Sequence, residues 1–150
     1  MTLELSEALF RIGRLHGENL PAVAIELLEA GYDTSAVRAL AGLDKPTLRD
    51  AGDLSEQVLR ELERPRVGQD EAAWIVARDL AAKVVSGEVS PRDACRMGAS
   101  FAIETNYHAA FMPFYAADDD YDLPFHTIAQ IDQDIMKYCR GVTGSSPHAV

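Results

Sequence analysis

The amino-acid sequence predicts an all-α fold, a single-domain bundle of about six helices joined by short connections. Three observations predict it. Apolar residues recur every three to four positions along most of the 150 residues, the repeat of a helix with one buried face. Cap-forming Ser, Thr, Asp and Asn, several with a proline close behind, open these stretches, and glycine closes them. No segment alternates apolar and polar residues over more than four positions, and no Asn-Gly or Asp-Gly hairpin turn occurs.

The first helix is expected from about Thr2 to His16, with Leu5, Leu9, Phe10 and Ile12 inward and Gly17 as its stop. A second is capped by Asn19, carries Pro21 in its first turn, buries Val23, Ala24, Leu27 and Leu28, and ends at Gly31. Thr34 or Ser35 caps a short third helix with Val37, Leu40 and Ala41, ending before Gly42. Beyond Asp44 and Pro46, Asp53 or Ser55 starts a helix carrying Leu54, Val58, Leu59 and Leu62, and Pro65 closes it.

The run RPRVGQ, 64–69, has proline, glycine and charge without apolar periodicity. It reads as a loop inside one domain, between an N-terminal half of about 1–65 and a C-terminal half of about 69–141. The strongest periodicity follows: Trp74, Ala77, Leu80, Ala81 and Val84 predict a helix over 70–86 stopped by Gly87. Trp74 is expected in the core. Ser90, Pro91 and Asp93 start a further helix through Cys95, Met97, Ala99, Phe101 and Ile103 to about Asn106. The stretch 106–126 has no regular pattern. Past Pro124 a last helix places Ile128, Ile131, Ile135 and Tyr138 on one face and stops at Gly141, leaving 142–150 as a frayed tail.

A chain that is 47% hydrophobic and 25% charged has the ordinary usage of a folded globular domain. Its length is enough to bury a core without disulfide staples. Cys95 and Cys139 lie far apart within helical patterns, as expected of reduced, buried side chains and not of a bridge. No apolar run approaches the roughly 18 to 20 residues of a membrane span, and Glu4 stands where an export signal would be basic. No membrane partner is expected, and the predicted location is the cytoplasm. Against 24 Asp and Glu stand 14 Lys and Arg, a net charge of -10, so phosphate backbones are repelled and nucleic acid is an unfavourable partner. A basic protein surface is the favoured one.

No glycine-rich phosphate loop, paired CxxC, HExxH or GxSxG occurs, and no cofactor is implied. One constellation remains, in the C-terminal half. Glu104 and His108 are four residues apart and share a helical face if the helix opened at Ser90 reaches that far. With Asp119 and His126 they form a set of oxygen and imidazole groups suited to a divalent ion or to proton transfer. The alternative is an ordinary surface pair beside a solvated acidic turn. DDDYD, Asp118 to Asp122, also lacks the glycine and the distant glutamate of a calcium loop. His16 and His148 have no companions at useful spacing.

The aromatic group Tyr107, Phe111, Phe114, Tyr115, Tyr121 and Phe125 permits two arrangements. It packs as the second half of the core, which its composition favours, or part of it lies exposed as a patch rimmed by Asp118, Asp119, Asp120 and Asp122. Exposed aromatic anchors with a charged rim suit a protein interface.

The stretches ELLEAGYDTSAVRALAGL, Glu26 to Leu43, and LAAKVVSGEVSPRDACRMG, Leu80 to Gly98, resemble small helical bacterial proteins of no known activity. The resemblance covers about half of the chain. It implies a helix, a GYD turn and a short helix ending at AGL, then a long helix, a G-x-x-x-P turn and a further helix, with no site residues to carry over.

The function expected from these readings is that of a protein-protein interaction module, not an enzyme. Its contact residues would be Tyr107, Phe111, Phe114, Tyr115, Asp118, Asp119, Asp120, Tyr121 and Asp122. An acidic immunity-type or antitoxin-type inhibitor of a basic protein is its more specific form, and self-association into a homo-oligomer is compatible with it. The alternative expectation is a small metal-dependent enzyme built on Glu104, His108 and the aspartate cluster.

Overall fold

The computed structural model describes residues 2–14, 17–64 and 67–144. Every regular element among them is helical: α1 (Leu3–Arg11), a 3-10 turn (Gly17–Asn19), α2 (Leu20–Glu29), α3 (Ser35–Ala41), α4 (Leu48–Glu61), α5 (Gln69–Val85), α6 (Pro91–Glu104), α7 (Met112–Asp120) and α8 (Ile128–Gly144). These are eight α-helices where about six were expected. No helix among the described residues is long and apolar enough to cross a membrane. The expected helix end at His16, the closing Pro65, and the tail beyond 144 with His148 lie outside the described residues. The chain divides into two compact units, 1–72 and 73–150, the division falling in the first turn of α5.

In the N-terminal unit, Leu20, Val23, Ala24 and Leu27 of α2 pack with Val37 and Leu40 of α3 and Ala51 and Val58 of α4. Thr34 caps α3 by accepting the Val37 N–H at 3.3 Å. Asn19 precedes α2 as expected, but its side chain makes no capping bond and its backbone is already helical. The start of α4 departs furthest from expectation. It begins at Leu48, not at Asp53 or Ser55, because Thr47 accepts the Asp50 N–H at 3.3 Å and donates its hydroxyl to the Asp50 carboxylate at 2.7 Å. Likewise α1 stops at Arg11, short of Gly17, where Gly13 turns left-handed at φ +81° and donates its N–H to Phe10.

Two carboxylates tie this unit together. Glu61, at the end of α4, accepts the Ala36 N–H and the Ser35 hydroxyl, both at 2.9 Å, at the start of α3. Glu7 of α1 accepts the Val67 N–H at 2.8 Å. The Ala36 N–H, followed by the Thr34 and Ser35 hydroxyls, holds Glu61 below the usual carboxylate range.

In the C-terminal unit, Val76, Ala77, Leu80, Ala81 and Val84 form the buried stripe of α5. Trp74 is half-buried and sets its ring edge-on to His108 at 5.9 Å. The face of α6 differs from the expected one. Of the expected residues Cys95, Ala99 and Phe101 are buried, together with Ala94, Gly98 and Ala102, whereas Met97 and Ile103 are exposed, Ile103 at 61%. The expected set alternated at every second residue, which a helix cannot hold on one side. Ile128, placed in the core by its spacing, is 58% exposed at the first residue of α8, whose buried face is Ile131, Ile135, Cys139 and Val142. Helix α8 also runs through Gly141 to Gly144.

Candidate functional site

Two local choices of the chain build the surface around α7. Helix α6 ends at Glu104, with Asn106 and Tyr107 both left-handed at φ +53° and +59°, and the Tyr107 N–H closing on the Ala102 carbonyl at 2.6 Å. His108 is therefore not one turn beyond Glu104 on the same helix. Its Nδ1 accepts the Ala110 N–H at 3.1 Å, and its ring meets the edges of Trp74 and Phe111. Helix α7 then opens with Pro113 in its first turn, where a missing N–H costs nothing.

The buried side of α7 is aromatic. Phe111 and Phe114 are fully buried. Phe111 lies 5.3 Å from Phe101, and Phe114 meets Tyr138 edge-on at 5.5 Å. The Tyr138 hydroxyl donates to the Ala110 carbonyl at 2.7 Å, and burial pushes its pKa up to about 12. Phe111 and Phe114 are therefore core residues and not anchors for a partner, each contributing about 1.5 to 3 kcal/mol by burial. Tyr107 is exposed and stacks edge-on to the half-buried Tyr115 at 5.5 Å.

Asp118, Asp119 and Asp120 form the end of this helix, and Asp122 lies in the turn that follows. Successive helical residues point about 100° apart, and Asp118, Asp119 and Asp120 diverge accordingly. Asp118 is half-buried and raises the pKa of the Cys95 thiol, Asp119 is exposed, and Asp120 lines a cleft. Asp122 lies 3.5 Å from Arg92, whose guanidinium sits 5.3 Å over the Tyr121 ring. The Tyr121 hydroxyl donates to Asp132 of α8. Burial first, then this bond, raises the Tyr121 pKa. Among the described residues no three His, Cys, Asp or Glu side chains gather so as to hold a metal ion, and the set of Glu104, His108, Asp119 and His126 is not assembled.

The cleft beside Asp120 encloses about 180 Å³ between α7 and α8. Pro113, Ala116, Ala117, Ile131, Ile135 and Tyr138 form its apolar floor, and Asp120, Asp134 and His126 its polar edge. No Lys or Arg lines it. Next to it, the 121–127 connection exposes Leu123 and Phe125, the latter at 75%, continuous in sequence with the exposed Ile128. Asp134, Leu123 and Ile128 were not among the residues expected from the sequence to make contact. The signal for the latter two lies in the sequence: Pro124 and the capping pair Thr127 and Gln130 keep 123–127 out of any helix, where no neighbouring turn covers its side chains.

Cys95 and Cys139 are both free and buried. Burial, followed by the charges of Asp118, Cys139 and Asp132, raises Cys95 to about 12, and burial raises Cys139 to about 11. Neither is an activated nucleophile. Compared with protein-family models, with curated proteins and with solved structures, the chain matches none, so its functional reading rests on its own residues.

Proposed function

We propose that this chain is a protein-protein interaction module that engages a basic protein through the α7–α8 face of its C-terminal unit. One observation carries the reading: an apolar cleft edged by Asp120 and Asp134, with no basic residue lining it, lies beside the exposed Leu123, Phe125 and Ile128. An apolar contact surface within an acidic rim gives affinity at its centre and rapid encounter with a cationic partner at its edge. The placement of the acids supports it. Asp118, Asp119 and Asp120 occupy the last turn of α7, which holds no basic residue, so they oppose the helix dipole at about 0.3 to 1 kcal/mol each at low ionic strength. A partner supplying Lys or Arg removes that opposition. An acidic immunity-type or antitoxin-type inhibitor in the cytoplasm is the specific form of this proposal.

The test is capture from the native host at low salt, followed by identification of the retained protein and calorimetric titration with it. The reading expects one dominant basic protein, released by salt and not retained by the double variant Asp120→Lys, Asp134→Lys or by Phe125→Ala. Retention of the same proteins by wild type and variants would overturn it.

A further inference from the structure

The cleft between α7 and α8 also limits which part of a basic partner can enter it, a step that rests on the interaction reading above. Its volume is about 180 Å³. One turn of a helix, about 10 Å across and 5.4 Å tall, fills roughly 400 Å³, so the cleft has room for one long side chain and not for a helix. It is open to such a side chain, because Ala116, His126 and Asp134 are exposed and Asp120 is half-buried.

Floor and edge ask for different chemistry. Pro113, Ala116, Ala117, Ile131 and Ile135 offer no hydrogen-bonding side chain, and the Tyr138 hydroxyl is already bonded to the Ala110 carbonyl. A polar group laid on that floor would lose its hydration without return, so what enters there is a hydrocarbon stem. The edge is anionic and unmet. Asp122 is paired with Arg92 and Asp132 accepts from Tyr121, whereas Asp120 and Asp134 have no hydrogen bond or ion pair to their carboxylates among the described residues. Lys137, the first basic residue of α8, makes no ion pair with Asp134. The cation therefore comes from outside. A second copy of this chain is a poor source, since it brings a net charge of -10 and the same acids. Lysine carries its compact ammonium on a four-carbon stem, which keeps its three donors at the edge. Arginine has a shorter stem and five donors in a flat fork, part of which would lie on the floor without an acceptor.

We infer that the cleft is a receptor for one lysine side chain of the basic partner, its methylene stem along the apolar floor and its ammonium at the edge formed by Asp120 and Asp134. Contact with one of the two carboxylates is sufficient, and the other adds longer-range attraction.

The test reads the cleft without the partner. The full chain is titrated with Nα-acetyl-lysine amide, Nα-acetyl-norleucine amide and Nα-acetyl-arginine amide, and backbone amide chemical shifts are followed. The lysine probe should give saturable shifts at Ala116, Ala117, Ile131 and Ile135 with a Kd on the order of 1 mM, ordinary for a ligand of its size. It should bind at least about tenfold more tightly than the norleucine probe and about threefold more tightly than the arginine probe. Asp120→Asn and Asp134→Asn should each weaken it by about threefold or more. Ala116→Trp, which fills the cleft from an exposed position without changing charge, should abolish its shifts; Asp134→Asn, at an exposed residue, serves if the tryptophan variant fails to fold. The assignment is overturned by the absence of saturable cleft shifts up to about 20 mM lysine probe, by equal binding of the norleucine or arginine probe, or by unchanged binding in Ala116→Trp. A host partner retained by Ala116→Trp as by wild type, yet lost with Asp120→Lys and Asp134→Lys, would overturn it and leave the interaction reading standing. Saturable, lysine-selective binding in the cleft with no partner captured would support the lysine receptor and count against the interaction reading alone.

Discussion

Gly98 of α6 lies so close to Phe114 of α7 that a methyl group on Gly98 would come within 2.6 Å of the Phe114 Cγ. Carbon atoms do not approach that closely, so the two helices meet only because residue 98 has no side chain. Phe114 fills the space and is fully buried there.

Gly98→Ala therefore should destabilise the C-terminal unit by about 1 to 3 kcal/mol through overpacking, although alanine is the better helix former by about 1 kcal/mol. Gly141→Ala in α8, where an added Cβ meets nothing within 4 Å, should instead stabilise by up to about 1 kcal/mol. Urea unfolding of the two variants measures both. The same sign for both would refute the close approach.

Glu61 should make the N-terminal unit sensitive to acid. Its carboxylate, bound to Ala36 and Ser35, is held below its ordinary value of 4.5. A lowered folded-state pKa contributes stability that is present above the unfolded value and lost as the pH falls through the folded one. Wild type should thus exceed Glu61→Gln in stability at neutral pH, with the difference shrinking below about pH 4.5. Thermal melts from pH 7 to pH 3 follow it.

The cysteines should be inert in the native state. With Cys95 at about 12 and Cys139 at about 11, the thiolate fraction of Cys95 at pH 8 is roughly a thousandfold below that of an exposed thiol. Iodoacetamide should modify neither until the chain unfolds, as mass spectrometry across a urea series would show. Because both values are raised, the stability involved is complete below the ordinary thiol value of 9.0 and is lost as the pH climbs toward 11 and 12. Cys139→Ala should be less alkali-sensitive than wild type over that window.

Asp120→Lys separates stability from binding. It replaces an acid with a base in the last turn of α7 and should raise stability by about 0.3 to 1 kcal/mol at low ionic strength, an effect that fades with salt. The same change should weaken capture of a basic partner. A variant that both loses stability and keeps the partner would contradict the assignment of this edge.

The helical class, and most helix positions, were legible from short-range chemistry. Thr34 before α3, Ser90 with Pro91 before α6, and the left-handed Gly31 and Gly87 are local signals that act within one turn of the chain, and the structure carries each of them. Where two signals competed, position alone could not choose. Thr47 caps α4 although Asp53 and Ser55 offer the same chemistry, and the left-handed Asn106 and Tyr107 end α6 before His108 without a glycine or proline to mark the place.

The aromatic and acidic run shows the boundary between local and tertiary information. Its composition alone identified 107–125 as the unusual stretch of the chain. Which residues face inward depended on neighbours far away in sequence. Phe111 and Phe114 are buried because Phe101, Gly98 and Tyr138 are there to receive them, whereas Phe125 is exposed. The cleft needs Asp120 from α7 and Asp134 from α8. Caps and periodicity are set by atoms a few residues apart, and so can be read along the chain. Burial and the meeting of polar groups depend on which helices pack together, and that comes only with the folded chain.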